Sequence, residues 1–111
     1  MSNTASEIKF IVEIDKNRVP EKLTWSAQDA NIENEDAKAI MLSIWDGQKK
    51  ESLRIDLWTK DMPVEEMKIF FHQTLVSMTD TFYKATNDEK MTATMTDFCE
   101  YFAEKLNLRK D

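Results

Sequence analysis

The chain has 111 residues, of which 41% are apolar and 10% aromatic, so it can bury one hydrophobic core and is too aromatic for a disordered segment. Its single glycine excludes the Gly-rich loops that bind phosphate groups, because those loops need glycine at several fixed positions. A formal net charge of −6 disfavours nucleic acids and anionic membranes as partners, since both would repel an acidic surface. The sequence therefore predicts a single domain over residues 1–111, with frayed ends at 1–6 and 107–111.

The first part of the chain predicts two strands followed by a loop. Apolar and polar residues alternate over residues 7–15, which is the period of a half-buried strand. A turn containing Pro20 separates this strand from a shorter one at residues 22–27. Residues 28–36 are acidic and polar, so we expect an exposed loop there.

A β-hairpin is predicted next, around the turn pair Asp46-Gly47. Residues 37–45 contain helix-forming alanines, but the alternation that resumes at residues 52–58 favours two antiparallel strands. In this hairpin one face is apolar and is expected to lie on the core. Its residues are Ile40, Leu42, Ile44, Leu53, Ile55 and Leu57.

The period then changes to that of helices, at residues 63–85 and 88–106. Pro63 suits the start of the first helix, and Thr86 with Glu89 matches a capping box for the second. The fold class predicted is α+β, a four-stranded antiparallel sheet followed by a C-terminal helical hairpin, in the order β-β-β-β-α-α. The two apolar stripes expected to pack are Val64, Met67, Phe71, Leu75, Met78 and Phe82 in the first helix and Met91, Met95, Phe98, Cys99, Phe102 and Leu106 in the second.

The chain offers little material for catalysis or metal binding. His72 is the single histidine and Cys99 the single cysteine, and no sequence pattern supplies the acid that would orient a histidine base. Zinc needs about four clustered ligands, and the acidic segment 31–36 lacks the glycine-centred pattern of a calcium loop. We therefore expect no enzyme activity and no cofactor, with Cys99 as a small core residue.

Binding to another protein fits the residues better. Trp45 and Trp58 lie on the hairpin face opposite Ile44 and Leu57, and interfaces are enriched in tryptophan and methionine. The alternative is that a twisted sheet or a crossing loop buries these tryptophans inside the monomer. The candidate interaction surface consists of Ile11, Met41, Trp45, Trp58 and His72, with Ile11 and Met41 expected on the tryptophan face and His72 on a helix face.

The first strand is a second candidate for contact with another chain. Its free edge could pair with a strand from elsewhere, while Lys9 and Glu13 would discourage non-specific pairing. Seven methionines also occur in the chain, and core packing explains those in the helical stripes better than a binding role does.

Several segments together resemble the gliding-motility protein GldC family of Bacteroidota, in the same order and over nearly the whole chain. They are Glu7-Ile8-Lys9-Phe10, Val19-Pro20-Glu21-Lys22, Thr24-Trp25, Lys38-Ala39-Ile40-Met41-Leu42-Ser43, Leu57-Trp58-Thr59-Lys60-Asp61-Met62-Pro63-Val64-Glu65-Glu66-Met67, Phe70-Phe71-His72-Gln73-Thr74-Leu75-Val76-Ser77-Met78 and Asp97-Phe98-Cys99-Glu100-Tyr101-Phe102-Ala103.

The resemblance implies a non-enzymatic accessory protein of the gliding machinery, which is linked to the type IX secretion system, and it brings no binding residues with it. Partners are expected to be proteins of that machinery, with self-association as a second expectation. The polar start of the chain and the lack of an apolar run of ~20 residues predict a cytoplasmic protein without membrane insertion. A single cysteine agrees with a reducing compartment.

Two other functions stay open at this level. The predicted order of four strands and two helices is also that of SecB-type export chaperones, an analogy of topology alone. An enzyme with His72 as base would need a concave pocket around that residue.

Overall fold

The computed structural model describes residues 3–108, and these form five strands, one short 3₁₀ turn and two helices. Their order is β1 (Ile8–Ile14), β2 (Pro20–Ala27), the 3₁₀ turn (Gln28–Ala30), β3 (Ile32–Ala37), β4 (Ala39–Asp46), β5 (Glu51–Trp58), α1 (Val64–Thr86) and α2 (Glu89–Lys105). The chain divides into two compact units between Met62 and Pro63, one holding all strands and the other both helices. The single domain predicted for residues 1–111 stays a prediction.

The first three strands form one antiparallel sheet in the order β1-β2-β3. The central strand carries Leu23, which is 1% exposed and is the largest fully buried side chain in the described residues. Phe10 on β1 lies opposite Trp25 on β2, and their rings stack at a centroid distance of 6.3 Å. Such cross-strand aromatic pairs stabilise a sheet beyond the area they bury.

β3 corrects the prediction of an exposed loop over residues 28–36. The segment is too polar to show a strand pattern, yet its backbone pairs with β2 from Leu23↔Ala37 to Ala27↔Ile32. Ser26 holds the irregular middle of this pairing, because its hydroxyl accepts the backbone N–H of Asn34 at 3.0 Å. An edge strand tolerates charged side chains, since they reach water on its open side.

β4 and β5 form a separate two-stranded antiparallel sheet. The α+β class and the two C-terminal helices are therefore confirmed, whereas the single four-stranded sheet is wrong. β3 occupies the edge of β2 that a fourth strand would need, and the chain passes through Lys38 into the second sheet. The comparison with SecB-type chaperones depended on an order of four strands and two helices. Because the structure has five strands before the helices, it does not support this analogy of topology.

Polar contacts hold the base of the β4–β5 hairpin to the first sheet. Lys38 enters the hairpin and forms an ion pair with Asp61, and its carbonyl accepts the backbone N–H of Thr59 at 2.9 Å. The buried Thr59 hydroxyl donates to Asp61 at 2.6 Å, and Lys60 donates its backbone N–H to Pro20 at 3.2 Å. The chain therefore enters and leaves the hairpin at one fixed point beside β2.

The two helices of the second unit agree with the predicted spans. Two glutamates in the first turn of α1 suit the positive end of the helix dipole, and Asn87 ends the helix in the left-handed conformation. The predicted capping box is wrong. Asp88, rather than Thr86, caps α2, and its carboxylate accepts the N–H of Met91 at 2.9 Å.

The contact between the helices is narrower than the predicted stripes. Thr79 on α1 and Cys99 and Ala103 on α2 are buried, and the Thr79 hydroxyl lies 3.6 Å from the Cys99 sulfur. The contact between two helices buries only a seam along each of them, so it does not cover apolar residues on a wider arc. The stripe residues that are exposed instead of buried are Val64, Phe71, Met78, Met91 and Phe98.

The end of α2 also differs from the prediction of fraying over residues 107–111. Asn107 adopts a left-handed conformation, and Leu108 donates its N–H to the carbonyl of Ala103 at 2.8 Å. This is the hydrogen-bond pattern of a Schellman cap, which satisfies the last helix carbonyls. The predicted fraying at residues 1 and 2 and at residues 109–111 lies outside the described residues.

Candidate functional site

One face of the β4–β5 hairpin carries both candidate tryptophans. In the observed register Trp58 lies opposite Ala39 and Trp45 lies opposite Ser52, at the two ends of the hairpin. Side chains alternate between faces along a strand, so residues two apart share a face. The resulting tryptophan face consists of Ala39, Met41, Ser43, Trp45, Ser52, Arg54, Asp56 and Trp58.

Both tryptophans on this face are accessible. Trp45 is 64% exposed and Trp58 is 55% exposed. The expectation that a twisted sheet or a loop buries them inside the monomer is therefore wrong. Indole rings on an open sheet face are unusual, because exposing their large apolar area to water is unfavourable in free energy.

An ion pair lies between the two tryptophans. The Arg54 guanidinium donates to Asp56 at 2.6 Å from Nη2 and at 3.3 Å from Nε. The hydrogen bond to Asp56 raises the pKa of Arg54, and the charge of the aspartate adds to this effect. The paired, planar arrangement fixes the arginine against the sheet and leaves the centre of the face without net charge.

The opposite face of the hairpin corrects the predicted core. Ile40 is buried and Leu57 half-buried near the base, as expected. Further out, Ile44, Leu53 and Ile55 are 54%, 56% and 48% exposed. Since both tryptophans on the other face are also exposed, the outer hairpin presents apolar side chains on both faces.

The other two candidate residues lie elsewhere. Ile11 is on β1 of the three-stranded sheet, so it is not on the tryptophan face, which belongs to the other sheet. His72 is half-buried on α1 in the helical unit, where its ring stacks on Phe102 at a centroid distance of 6.1 Å. The structure therefore brings together Met41, Trp45 and Trp58 and places Ile11 and His72 on other elements.

The surroundings of His72 bear on the enzyme alternative. A hollow of about 270 Å³ is lined by His72, Thr79, Asp80, Cys99 and other residues of the two helices. Within residues 3–108 the imidazole forms no hydrogen bond with an acid, and the Cys99 sulfur is buried beside the Thr79 hydroxyl. The concave pocket is present, but the acid that would orient a general base is not engaged.

Metal and membrane sites receive no support from the described part of the chain. No group of three or more His, Cys, Asp or Glu side chains among residues 3–108 is placed to hold a metal ion. None of the helices described is both long enough and apolar enough to cross a bilayer.

Sequence reasoning did not identify Arg54 and Asp56 as members of the site. The alternation along β5 could have placed them there, because Arg54 and Asp56 lie four and two residues before Trp58 and so share its face. Their side chains meet within one strand, two residues apart, and no sequence motif marks such a pair.

Comparison with known proteins gives one match. No curated protein and no solved structure matches the chain. The model of a family described as gliding motility-associated protein GldC-like matches residues 20–108. This match covers most of the chain, including four of the five strands and both helices. The chain therefore belongs to the GldC-like family of gliding motility-associated proteins.

Proposed function

We propose that this protein is a non-catalytic accessory component of the gliding-motility machinery and that it binds another protein of that machinery through the tryptophan face. The family supplies the association with gliding motility. The observation that carries the binding proposal is the exposure of Trp45 and Trp58 on one face, with the Arg54–Asp56 ion pair between them. The proposed compartment is the cytoplasm, and the proposed link to type IX secretion follows from the resemblance to the family of Bacteroidota.

The composition of the tryptophan face is that of an interface centre. Tryptophan and arginine are the residues most enriched among those that dominate binding energy, and methionine is enriched with them. A tryptophan buries roughly 150–250 Å² on full coverage, so two half-exposed rings supply a substantial apolar area. Few side-chain rotamers are lost on binding, because a tryptophan has only two rotatable bonds.

The geometry also indicates what the partner surface is like. The two rings stand at opposite ends of the hairpin, and the centre between them is electrically neutral because Arg54 is already paired. A partner with two apolar recesses and polar groups between them would satisfy both features. A strongly charged partner would gain little, since its charges would lose water without finding an opposite charge.

The test is a double substitution, Trp45→Ser with Trp58→Ser, introduced into a gliding bacterium in place of the native gene. Gliding speed is measured, together with the proteins that co-purify with the tagged variant. We expect co-purification of the partner to fall by about tenfold or more, because truncation of a tryptophan that dominates an interface costs about 2 kcal/mol or more. Gliding should fall in parallel.

The matched control is Tyr101→Ser, which removes an aromatic ring that is 58% exposed on α2, in the other unit. This variant should keep the partner and glide normally. Circular dichroism of the purified proteins checks that all variants fold. Normal gliding and unchanged co-purification with the folded double variant would contradict the proposal.

A further inference from the structure

The first strand is an open edge of its sheet. The strand order is β1-β2-β3, so within residues 3–108 one side of β1 is paired with β2 and no strand pairs with the other side. Ile8, Ile11 and Ile14 on this strand are exposed, and Ile11 is 47% exposed. An edge of this kind offers a row of backbone N–H and C=O groups to another strand.

The hydrogen bonds to β2 show which backbone groups point outward. Gln28 donates its N–H to the carbonyl of Glu7, so this pair faces β2 as a hydrogen-bonded pair. Bonded and non-bonded pairs alternate along antiparallel strands, so residues 9, 11 and 13 direct their backbone groups towards β2. The outward groups are those of Ile8, Phe10, Val12 and Ile14.

Because only every second residue directs its backbone groups outward, a second copy of β1 can pair with the first in few registers. In an antiparallel pair of identical strands, outward groups meet only when the two-fold axis passes through a residue rather than between two residues. An axis at Phe10 places Glu13 opposite Glu7, which is a repulsive pair. An axis at Val12 places Glu13 opposite Ile11 and Lys9 opposite Asp15, whose carboxylate is already engaged by Lys60 and by the backbone of the turn.

An axis at Ile11 gives a different outcome. Lys9 then lies opposite Glu13 of the second copy, and Glu13 lies opposite Lys9, so both charged pairs are attractive. The two Ile11 side chains meet between them. All of these are non-hydrogen-bonded pairs, in which side chains approach most closely. On the other face, Phe10 meets Val12 and Ile8 meets Ile14, so the apolar face continues across the junction.

We propose that β1 is a self-association surface, at which two copies of this chain pair antiparallel about a two-fold axis at Ile11 and join their three-stranded sheets into one. The occupant is a second copy because the sequence of β1 is complementary in charge to its own reverse. Lys9 and Glu13 would disfavour pairing with an arbitrary apolar strand, whereas in this register each lies opposite a residue of the other charge. The inference does not rest on the proposed function, since the tryptophan face belongs to the other sheet.

The first test is a charge exchange followed by measurement of mass in solution by light scattering, from micromolar to millimolar protein. Wild-type protein should form a dimer as concentration rises. Lys9→Glu places two carboxylates opposite each other on both sides of the axis, so the dimer dissociation constant should rise by about tenfold or more. In its own sheet Lys9 faces Ser26, so this change leaves the monomer intact.

The matched variant combines Lys9→Glu and Glu13→Lys, which reverse both charges, with Lys22→Glu. The third change is needed because Glu13 lies opposite Lys22 in its own sheet, and two lysines at these positions would repel. Dimer affinity should return to near the wild-type value, because each pair is attractive again. Rescue of this kind is specific to the Ile11 register. Circular dichroism confirms that each variant is folded before its mass is interpreted.

The second test places a cysteine at the axis, in a Cys99→Ala background that removes the native thiol. In the proposed register the two Ile11→Cys residues form a non-hydrogen-bonded pair with Cα atoms about 4.5 Å apart, within disulfide range. The control Lys9→Cys places its two thiols four residues apart, about 14 Å, which no disulfide spans. Mild oxidation should therefore cross-link the first variant and not the second.

Three results would overturn the inference. They are a folded wild-type monomer at every concentration, a dimer that Lys9→Glu does not weaken, and cross-linking of the Lys9→Cys variant in preference to the Ile11→Cys variant. A dimer lost on Trp45→Ser instead would place self-association on the tryptophan face. The gliding test of the tryptophan variants is unaffected by any of these results.

Discussion

Asp15 is the residue that ties the β1–β2 turn to the segment after β5. Its Oδ1 accepts the backbone N–H of Asn17 at 2.8 Å and of Val19 at 3.0 Å, and its Oδ2 accepts Lys60 Nζ at 2.9 Å. The N–H of Val19 is the largest cause that lowers the pKa of Asp15, and the hydrogen bond from Lys60 follows. The ionised form is therefore favoured in the folded protein.

This lowered pKa makes stability depend on acid. The unfolded carboxyl has a pKa of about 3.9, so the contribution of Asp15 is fully present above that value and is lost as pH falls through the lower folded pKa. We expect Asp15→Asn to lower the free energy of unfolding at pH 7. The difference from wild type should shrink as pH falls from about 5 towards 2. Urea denaturation across this range measures it.

A matched control separates the two causes of the shift. Lys60→Met removes the ammonium but keeps the backbone donors of Asn17 and Val19. The pKa of Asp15, measured by carboxyl NMR titration, should rise in this variant but stay below its ordinary value. A full return to the ordinary value would show that the turn donors contribute nothing, contrary to the geometry.

The sequence indicated part of this arrangement. Asn17 predicted the turn correctly, because its effect on the backbone is local, whereas Pro20 begins β2 instead of lying in the turn. The contact with Lys60 joins residues 45 positions apart, and no local pattern encodes it. The same limit applies to the candidate site. Alternation placed Trp45 and Trp58 on one face, but whether anything covers that face depends on the tertiary structure.

At the scale of single elements, the loop of the β4–β5 hairpin differs from its sequence signature. An Asp-Gly pair in a two-residue turn requires a glycine with positive φ. Here the loop spans the four residues between Asp46 and Glu51, and the left-handed residue is Lys50, with φ 57°. Asp46 orders the loop by accepting the N–H groups of Gln48 and Lys49 through its side chain.

This geometry reverses the usual expectation for glycine substitutions. Gly47 does not have a positive φ, and a Cβ added there meets nothing within 4 Å. Gly47→Ala should therefore raise the free energy of unfolding by about 0.4–1 kcal/mol, because the unfolded chain loses freedom. Lys50→Gly should also raise it, by up to about 1 kcal/mol, since it relieves a left-handed side chain.

Lys49→Gly is the matched control, because the neighbouring lysine has an ordinary φ. It should lower the free energy of unfolding by roughly 0.5–1 kcal/mol, the usual cost of glycine flexibility. Urea denaturation of the three variants gives their free energies of unfolding for comparison with the wild-type value. A loss of stability in Gly47→Ala would contradict this loop geometry, because it would indicate that residue 47 needs a positive φ.

The elements themselves differ in how well the sequence predicted them. Periodicity identified β1, β2, β4, β5 and both helices, because apolar side chains recur in each at the spacing of a strand or of a helix. β3 was missed because its strand state comes from pairing with β2 rather than from its own side chains, which are mostly acidic or amide. That omission also led to the single sheet, since β3 takes the place beside β2.

At the scale of the whole molecule, net charge and exposed apolar surface act against each other. The chain carries 21 acidic and 15 basic residues, with an isoelectric point of about 4.8. At neutral pH the excess of negative charge opposes association through the exposed apolar side chains of the hairpin and the helices. Near the isoelectric point this repulsion vanishes, so the apolar surfaces should control solubility.

We therefore expect solubility to pass through a minimum close to pH 5, measured as the protein left in solution after centrifugation. The charge-neutral variant Trp45→Ser with Trp58→Ser should be more soluble than wild type at that pH, because it removes apolar surface without changing net charge. At pH 8 the two proteins should differ little, since repulsion dominates there. Equal solubility of the two proteins at pH 5 would show that the tryptophan face takes no part in association. The exposed apolar residues of the helices would then be the surface to test by substitution.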